Sequence, residues 1–282
     1  MHEEEGYPIE KLCDIAGVAR SAYYKWLNQE VSEQEQHQKF LAEIILLIHY
    51  DPEVNKTYGY RRMTLTLSQW GVKCSWNSVR RIMRILGIQA EIRKKRKTYS
   101  SVNPSHLAAN ILNRNFTAEH PNEKWCTDIT EVKDTQGKKA YLSAVIDLYD
   151  LSIVAHKLST RNDNQLVKET IDKAFQKNPG AQPQIHSDRG SQYTSYMYQA
   201  LIGEYKFTQS MSRAGCCLDN QPIERFFGTL KAEYYYRHKF SHTEALEQGL
   251  DKYIDYYNWR RITIKFRGLS PMVVRRQYQM AS

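Results

Sequence analysis

Asp128, Asp188 and Glu224 are the residues of this chain whose types and settings can do chemistry together. Asp128 interrupts the β-rich run WCTDITEVK (125–133), where an acid is disfavoured unless something holds it. Asp188 ends the short run QIHSD (184–188), just before Arg189 and Gly190, at the carboxyl edge of a strand. Glu224 follows Asp219-Asn220-Gln221-Pro222, a strong helix start in which Asp219 or Asn220 can cap and Pro222 fits the first turn. Taken singly, each acid has an ordinary structural explanation: a hydrogen-bonded strand acid, a turn residue, a partner of the helix dipole. Asp147 is a second strand acid nearby, so residue types alone leave open which strand carboxylate belongs with the other two.

Carboxylates grouped in this way suit phosphodiester chemistry. The attacking oxygen, the leaving oxygen and the phosphorus centre between them all carry negative charge. Two Mg2+ (or Mn2+) ions about 3.5–4 Å apart can stabilise both oxygens at once. Magnesium takes hard oxygen ligands and keeps several waters, so a few carboxylates suffice and no histidine base is needed. The cysteines point to no rival metal site. Cys13, Cys74, Cys126, Cys216 and Cys217 form neither a CxxC pair nor a zinc-finger spacing. They read as free thiols in a reducing compartment.

The elements that must position these acids follow from the hydrophobic pattern. Runs 125–133, 140–150 and 152–159 are β-rich, with turns at 135–138 and 149–151, and predict an antiparallel meander. A helix over 163–177, a strand at 184–188, a helix over 194–203, a strand at 205–211 and a helix that starts at Asp219–Pro222, has Glu224 in its first turn and runs to about 237 complete the order. Three strands followed by alternating helices and strands is the order of an RNase H-like α/β core. Residues 210–221 read as a mobile loop over the site, given their Ser, Gly, Asp and Asn content. Arg189 and Gln192, just after Asp188, are candidates for contact with phosphate or a flipped base.

Upstream the pattern is helical. Residues 8–28 predict two short helices around a turn at Gly17, with Ser21 as a cap, and 33–50 a longer amphipathic helix. Residues 57–90 predict a helix-turn-helix: one helix near 60–69, a break at Gly71 and a second helix capped by Ser75. On that second helix Trp76, Val79, Ile82, Met83 and Leu86 share one face, and Arg80, Arg81 and Arg84 share the opposite one. An arginine face opposite a packed face suits a helix lying in a DNA major groove. The run Arg93, Lys94, Lys95, Arg96, Lys97 follows at once and can lie along phosphates.

Charge agrees with a polyanionic partner. Net charge is +9, but residues 1–54 carry −7, residues 55–120 carry +11 and residues 225–282 carry +6, so the basic excess sits in two blocks that flank a near-neutral centre. No apolar stretch approaches the roughly 18 residues that a membrane span needs. The acidic amino terminus does not read as a secretory signal.

The segments WCTDIT, YLSAVIDLY, IHSDRGSQYTS, SMSRAGCCLDNQPIERFFGTLKAE and YIDYYNWRRI, in that order, closely resemble the second-reading-frame transposases of the insertion-sequence-three family. SAYYKWL and KTYGYRRM are similar to the amino-terminal part of the same proteins. The resemblance implies an α/β fold: an RNase H-like, retroviral-integrase-like core with a mixed five-stranded sheet, preceded by an all-α helix-turn-helix region. It selects Asp128 over Asp147 as the first acid of a DDE triad. Asp188 and Glu224 are separated by 35 residues, as in the family pattern. Lys231, seven residues after Glu224, stands where the family also has a basic residue. That is nearly two helical turns, so it shares a face with Glu224 and can steer a terminal phosphate. No His-His-Cys-Cys zinc module precedes the core, unlike retroviral integrases.

The division expected is a helix-turn-helix-like segment (1–32), a helical DNA-binding domain (33–92), a basic linker (93–120), the catalytic core (121–240) and a helical tail (241–282). The resemblance further implies Mg2+-dependent cleavage at element ends and transfer of the freed 3′-hydroxyl. Asp128 and Asp188 would share the metals and Glu224 would complete the second site. Its partners would be terminal inverted repeats, target DNA, further copies of the chain on DNA and an upstream-frame accessory protein. The setting would be the bacterial cytoplasm, on the nucleoid. The rival readings are an RNase H-like nuclease that never joins DNA and a DNA-binding regulator with an inactive core.

Overall fold

Residue alternation in the first β-rich run sends its side chains to two different cores, and that division organises the fold. The computed structural model describes residues 8–28, 32–91, 108–213 and 217–281. Strand β1 (Lys124–Lys133) pairs antiparallel with β2 (Lys139–Asp147), and β2 with β3 (Ile153–Ser159). Strands β4 (Gln184–Ser187) and β5 (Thr208–Met211) then add parallel to β1, giving the order β3-β2-β1-β4-β5. Parallel neighbours need a crossover. Helix α6 (Asn164–Lys177) lies between β3 and β4, and α7 (Tyr196–Tyr205) between β4 and β5.

Trp125, Val145, Ile185, Val167, Ile171 and Leu201 make one core between the sheet and α6 and α7. On the other face Cys126, Val132, Leu142 and Ala144 pack against α8 (Gln221–Glu233) and α9 (Thr243–Trp259). Helix α8 presents Ile223, Phe226, Phe227 and Leu230 to that core, an i, i+3, i+4, i+7 stripe. Each such fully buried side chain contributes about 1.5–3 kcal/mol. The last helix, α10 (Pro271–Ala281), closes the end of the sheet with Arg275.

The amino-terminal region holds α1 (Ile9–Ala16), α2 (Arg20–Leu27), α3 (Glu33–Tyr50), α4 (Tyr60–Gln69) and α5 (Trp76–Ile85). Gly17 ends α1 with φ +63°, as the turn requires. Helix α2 starts two residues earlier than the sequence suggested, with Ala19 at the N-cap position, so Ser21 lies inside the helix and does not cap it. Ser75 does cap α5, accepting from the Ser78 amide at 3.1 Å. Leu41, Ile45, Met63, Leu67, Val79 and Ile82 form the core of α3 to α5, and Ile262 from the carboxyl-terminal region completes it. Arg62 and Arg261 both bind Glu233 at the end of α8, at 3.2 and 2.7 Å, joining this unit to the sheet domain. Among the described residues no helix is long and apolar enough to cross a membrane.

Candidate active site

Strand register brings two of the acids side by side. In the parallel pair β1 and β4, Cys126 stands opposite His186. Two residues further along each chain are Asp128 and Asp188, on the same sheet face by alternation. That face is the one α8 covers, since Cys126 packs with Ile223 and Phe226. Glu224, in the first turn of α8, follows the buried Ile223 and is itself exposed beside the two aspartates.

The start of α8 is fixed by a buried ionic clamp, not by side-chain caps. Asp219 accepts from Arg114 Nε at 2.7 Å, Arg213 Nε and Nη2 at 2.9 Å each, the Arg213 amide at 3.0 Å and Asn110 Nδ2 at 2.9 Å. These donors hold its carboxyl well below the usual carboxylate range, the Arg213 hydrogen bonds first. Asn220 donates from Nδ2 to the Thr127 carbonyl at 3.1 Å and so ties the helix start to the strand beside Asp128. Neither residue caps α8 through its side chain, a departure from the sequence expectation; Pro222 does sit in the first turn. Part of the expected loop is ordered secondary structure: residues 210 and 211 end β5, and Cys217–Asn220 form a 3₁₀ turn.

Electrostatics set these acids apart. Burial holds Asp128 well above the usual carboxylate range, and the charges of Asp188 and Glu224 push the same way. The Ile129 amide, donating to Asp128 at 2.7 Å, and Lys231 oppose the rise. Asp188 is raised by burial against the Gly190 amide at 2.9 Å. Glu224, exposed as a residue, is raised by partial desolvation of its carboxyl where it meets the site and by Asp188. Lys231 donates from Nζ to Thr130 Oγ1 at 2.7 Å, one pleat along β1 from Asp128. Beneath the pair, the buried Tyr193 hydroxyl lies 3.3 Å from Thr127 Oγ1. The arrangement is a cluster of hard oxygen donors that repel one another, with one ammonium beside them. Among the described residues no three His, Cys, Asp or Glu side chains converge closely enough to enclose an ion unaided.

The other candidates separate into engaged and outward-facing groups. Arg189 donates from Nε to the Ser212 carbonyl at 2.7 Å, and Gln192 donates to the Asn162 side chain at 3.0 Å; both brace the loop after Asp188. Arg80, Arg81 and Arg84 are exposed together on α5. Trp76, expected on the packed face, is 43% exposed and stands edge-on to Tyr60. Arg93, Lys94, Lys95, Arg96, Lys97 and Cys216 lie outside the described residues. Local spacing gave no sign of Tyr193, of the tie from Asn220 to Thr127 or of the Asp219 clamp, because their partners are distant in sequence.

The sheet order, with two crossover helices and an acid pair on its central parallel strands, defines an integrase-type core behind a helix-turn-helix-like unit. Residues 118–217 match the family described as integrase core domain, residues 224–278 a second family so described, and residues 35–96 the HTH-like domain. The chain is 40% identical to InsK, the transposase assigned to insertion sequence element IS150 of Escherichia coli K12, over 97% of this chain and 95% of that protein. It is 31% identical to InsF, the transposase for insertion sequence IS3A of the same organism, over 92% of this chain and 91% of that one. The chain belongs to this IS150/IS3 family of insertion-sequence transposases, DDE polynucleotidyl transferases with an integrase core. Among solved structures it is similar to the HTLV-2 integrase catalytic core in complex with magnesium, with a TM-score of 0.45 and 16% identity, covering 56% of this chain and 98% of that one. A chain of the simian T-cell lymphotropic virus intasome in complex with PP2A regulatory subunit B56 gamma gives a TM-score of 0.49 at 16% identity, covering 83% and 74%.

Proposed function

We propose that the chain cleaves DNA at the ends of an insertion element and joins the freed 3′-hydroxyl to target DNA in a reaction dependent on divalent metal. One observation carries this reading: Asp128 and Asp188 share a face of adjacent parallel strands, with Glu224 near enough for each acid to feel another's charge. The donor set suits Mg2+ or Mn2+ because it is all hard carboxylate oxygen, and water and substrate oxygens would complete the shell. Asp128, Asp188 and Glu224 would hold two ions when DNA is bound, and such ions supply Lewis-acid stabilisation of attacking and leaving oxygens.

The chain's own residues do the remaining work. Asn220 and the Asp219 clamp hold Glu224 at the mouth of the site. Lys231, beside Asp128, places positive charge where a terminal phosphate would lie. Arg80, Arg81 and Arg84 face outward from the second helix of the helix-turn-helix, the face that would read the terminal inverted repeats. Arg93 to Lys97, Arg189 and Gln192 extend the proposed DNA contacts. Copies of the chain would assemble on paired ends, with an upstream-frame protein as a further partner, on the nucleoid of the bacterial cytoplasm.

The test is a strand-transfer assay with labelled element ends, a plasmid target and Mg2+. The wild-type chain gives cleaved and joined products, and Glu224→Gln gives neither while still binding ends. Cleavage without joining would assign the chain to hydrolysis alone. Wild-type cleavage by Glu224→Gln would remove the triad assignment.

A further inference from the structure

A cleft of about 550 Å3 opens between the amino-terminal helical unit and α8, and the acid cluster touches only one end of it. One wall is the segment leading into α4, with Gly59, Tyr60 and Arg61. The other is a single face of α8, with Glu224, Arg225, Gly228, Thr229 and Ala232. Two further acids border the cleft and both are already engaged: Glu233 by Arg62 and Arg261, and Glu91 by Arg237 at 2.7 Å. Arg61 and Arg225 line the cleft from its two walls, both are exposed, and among the described residues no ion pair to a carboxylate is found for either. Lys265, next to the lining residue Ile264, is held below its usual range by burial, with Arg225 adding in the same direction against Asp150.

Two features point to what fits there. Helix α4 begins at Gly59 without a side-chain cap, so its first-turn amides border the cleft beside Arg61. Uncapped amides next to a guanidinium attract phosphate. Tyr60 and Trp76 stand edge-on at 6.2 Å, with Arg61 5.9 Å from each ring and Arg80 5.7 Å from Tyr60. Aromatic rings interleaved with arginine bind single strands by stacking and charge together. That ladder runs from the exposed arginine face of α5 to the cleft, and the cleft ends at Glu224. Stacking faces beside guanidinium groups suit an unpaired strand, whose bases are free to stack.

We propose that this cleft guides the unpaired end of one DNA strand from the helix-turn-helix unit to the acid cluster. Arg61 and the α4 amides hold phosphate on one wall, Arg225 holds it on the other, and Tyr60 and Trp76 offer faces for a base. The direction of the strand, ending at Glu224, rests on the catalytic reading of the acids; the occupancy of the cleft does not.

The test needs no metal. Thr229→Cys in the full chain is incubated with a forked DNA whose unpaired 3′ end carries a thiol-bearing nucleotide, or carries it well inside the duplex. A disulfide cross-link at the unpaired end, absent from the internal position and from the chain with native Thr229, is the result expected. Arg61→Ser and Arg225→Ser each weaken that cross-link and lower the salt slope of fork binding by about 0.7, the share of one single-strand phosphate contact. Equal cross-linking at both positions, none at the end, or unchanged slopes in both variants would overturn the proposal. Glu224→Gln keeps the cross-link. Loss of joining in Glu224→Gln without any cross-link sinks the cleft alone; a cross-link with Glu224→Gln fully active sinks the catalytic reading alone.

Discussion

Two groups of acids stand on the same sheet, and the protein treats them oppositely. Asp147 ends β2 opposite Trp125, with Asp150 in the turn beyond; both are buried. Arg275 from α10 reaches both, Nε to Asp150 at 2.6 Å and Nη2 to Asp147 at 2.5 Å. Amides of Asn122 and Tyr149 donate to Asp147 at 2.7 and 2.9 Å. Burial and Asp150 push Asp147 up to about 6, but arginine and amides oppose them, and the carboxylate has every partner it needs. Asp128, one strand away, has one amide, a nearby lysine and two more acids. A strand acid matched by arginine holds the structure together. A strand acid placed against other acids keeps its repulsion unmatched within the chain, which is the property the proposed metal site would use.

The sharpest way to break this comparison is to neutralise one acid in each group. Asp128→Asn or Glu224→Gln should reduce cleavage by at least ~10³-fold, about 4 kcal/mol of barrier, with thermal stability unchanged or higher because repulsion is relieved. Cleavage by Asp128→Asn at the native rate, measured on labelled ends, would make the two groups equivalent.

Arg275→Met tests the other side. It leaves Asp147 and Asp150 buried without their cation, which costs about 3–5 kcal/mol in denaturant unfolding at neutral pH. Without the arginine, the folded-state value of Asp147 rises beyond about 6, further above its unfolded value. A raised folded-state value favours the fold at low pH and loses that benefit as pH rises through it. The deficit should therefore shrink between pH 7 and pH 5. A deficit that grows on acidification would contradict the assignment.

The pattern of residues announced most of the elements and little of this contrast. Helices α3 and α4 fall where apolar periodicity put them, Glu33–Tyr50 and Tyr60–Gln69, because local amphipathicity decides such helices. The meander was legible for the same reason. The acid pair was half legible: Asp128 and Asp147 are both acids in β-rich runs, the family resemblance alone chose between them, and in the structure the partner of each tells them apart. Arg275 lies 128 residues from Asp147, and Asp219 takes Arg114 from 105 residues away. No spacing rule reaches that far. The same limit explains the failed caps, since Asp219 looked like a capping residue until its arginines claimed it.

Asp219 gives a smaller effect of opposite sign. Its folded-state value is depressed, so its stabilisation is present above the unfolded value and lost as pH falls below it. Asp219→Asn should cost about 1.5–3 kcal/mol at neutral pH, and the variant and native unfolding curves should converge below pH ~4. Activity should fall with it, because the start of α8 and therefore Glu224 depend on the clamp. A variant with full stability at neutral pH would show that Arg114 and Arg213 find another partner.

The smallest shift discriminates most finely between the two groups. A cation that binds only the folded acid cluster stabilises the chain by RT ln(1 + [L]/Kd), about 1.4 kcal/mol at ten times Kd. Mg2+ should therefore raise the melting temperature of the native chain and of Asp219→Asn, but not of Asp128→Asn or Asp188→Asn. The acids of the cluster are raised, so at lower pH protons occupy the oxygens that the ion needs, and binding must release them. The Mg2+ shift should grow from pH 6 to pH 8. Asp147 is raised as well, yet Arg275 and the Asn122 amide already occupy its Oδ2 and the Tyr149 amide its Oδ1, so it should give the ion nothing to bind. A Mg2+ shift that survives in Asp188→Asn and flattens with pH would mean that the ion binds elsewhere, and that the unmatched charge of the cluster is met by something other than metal.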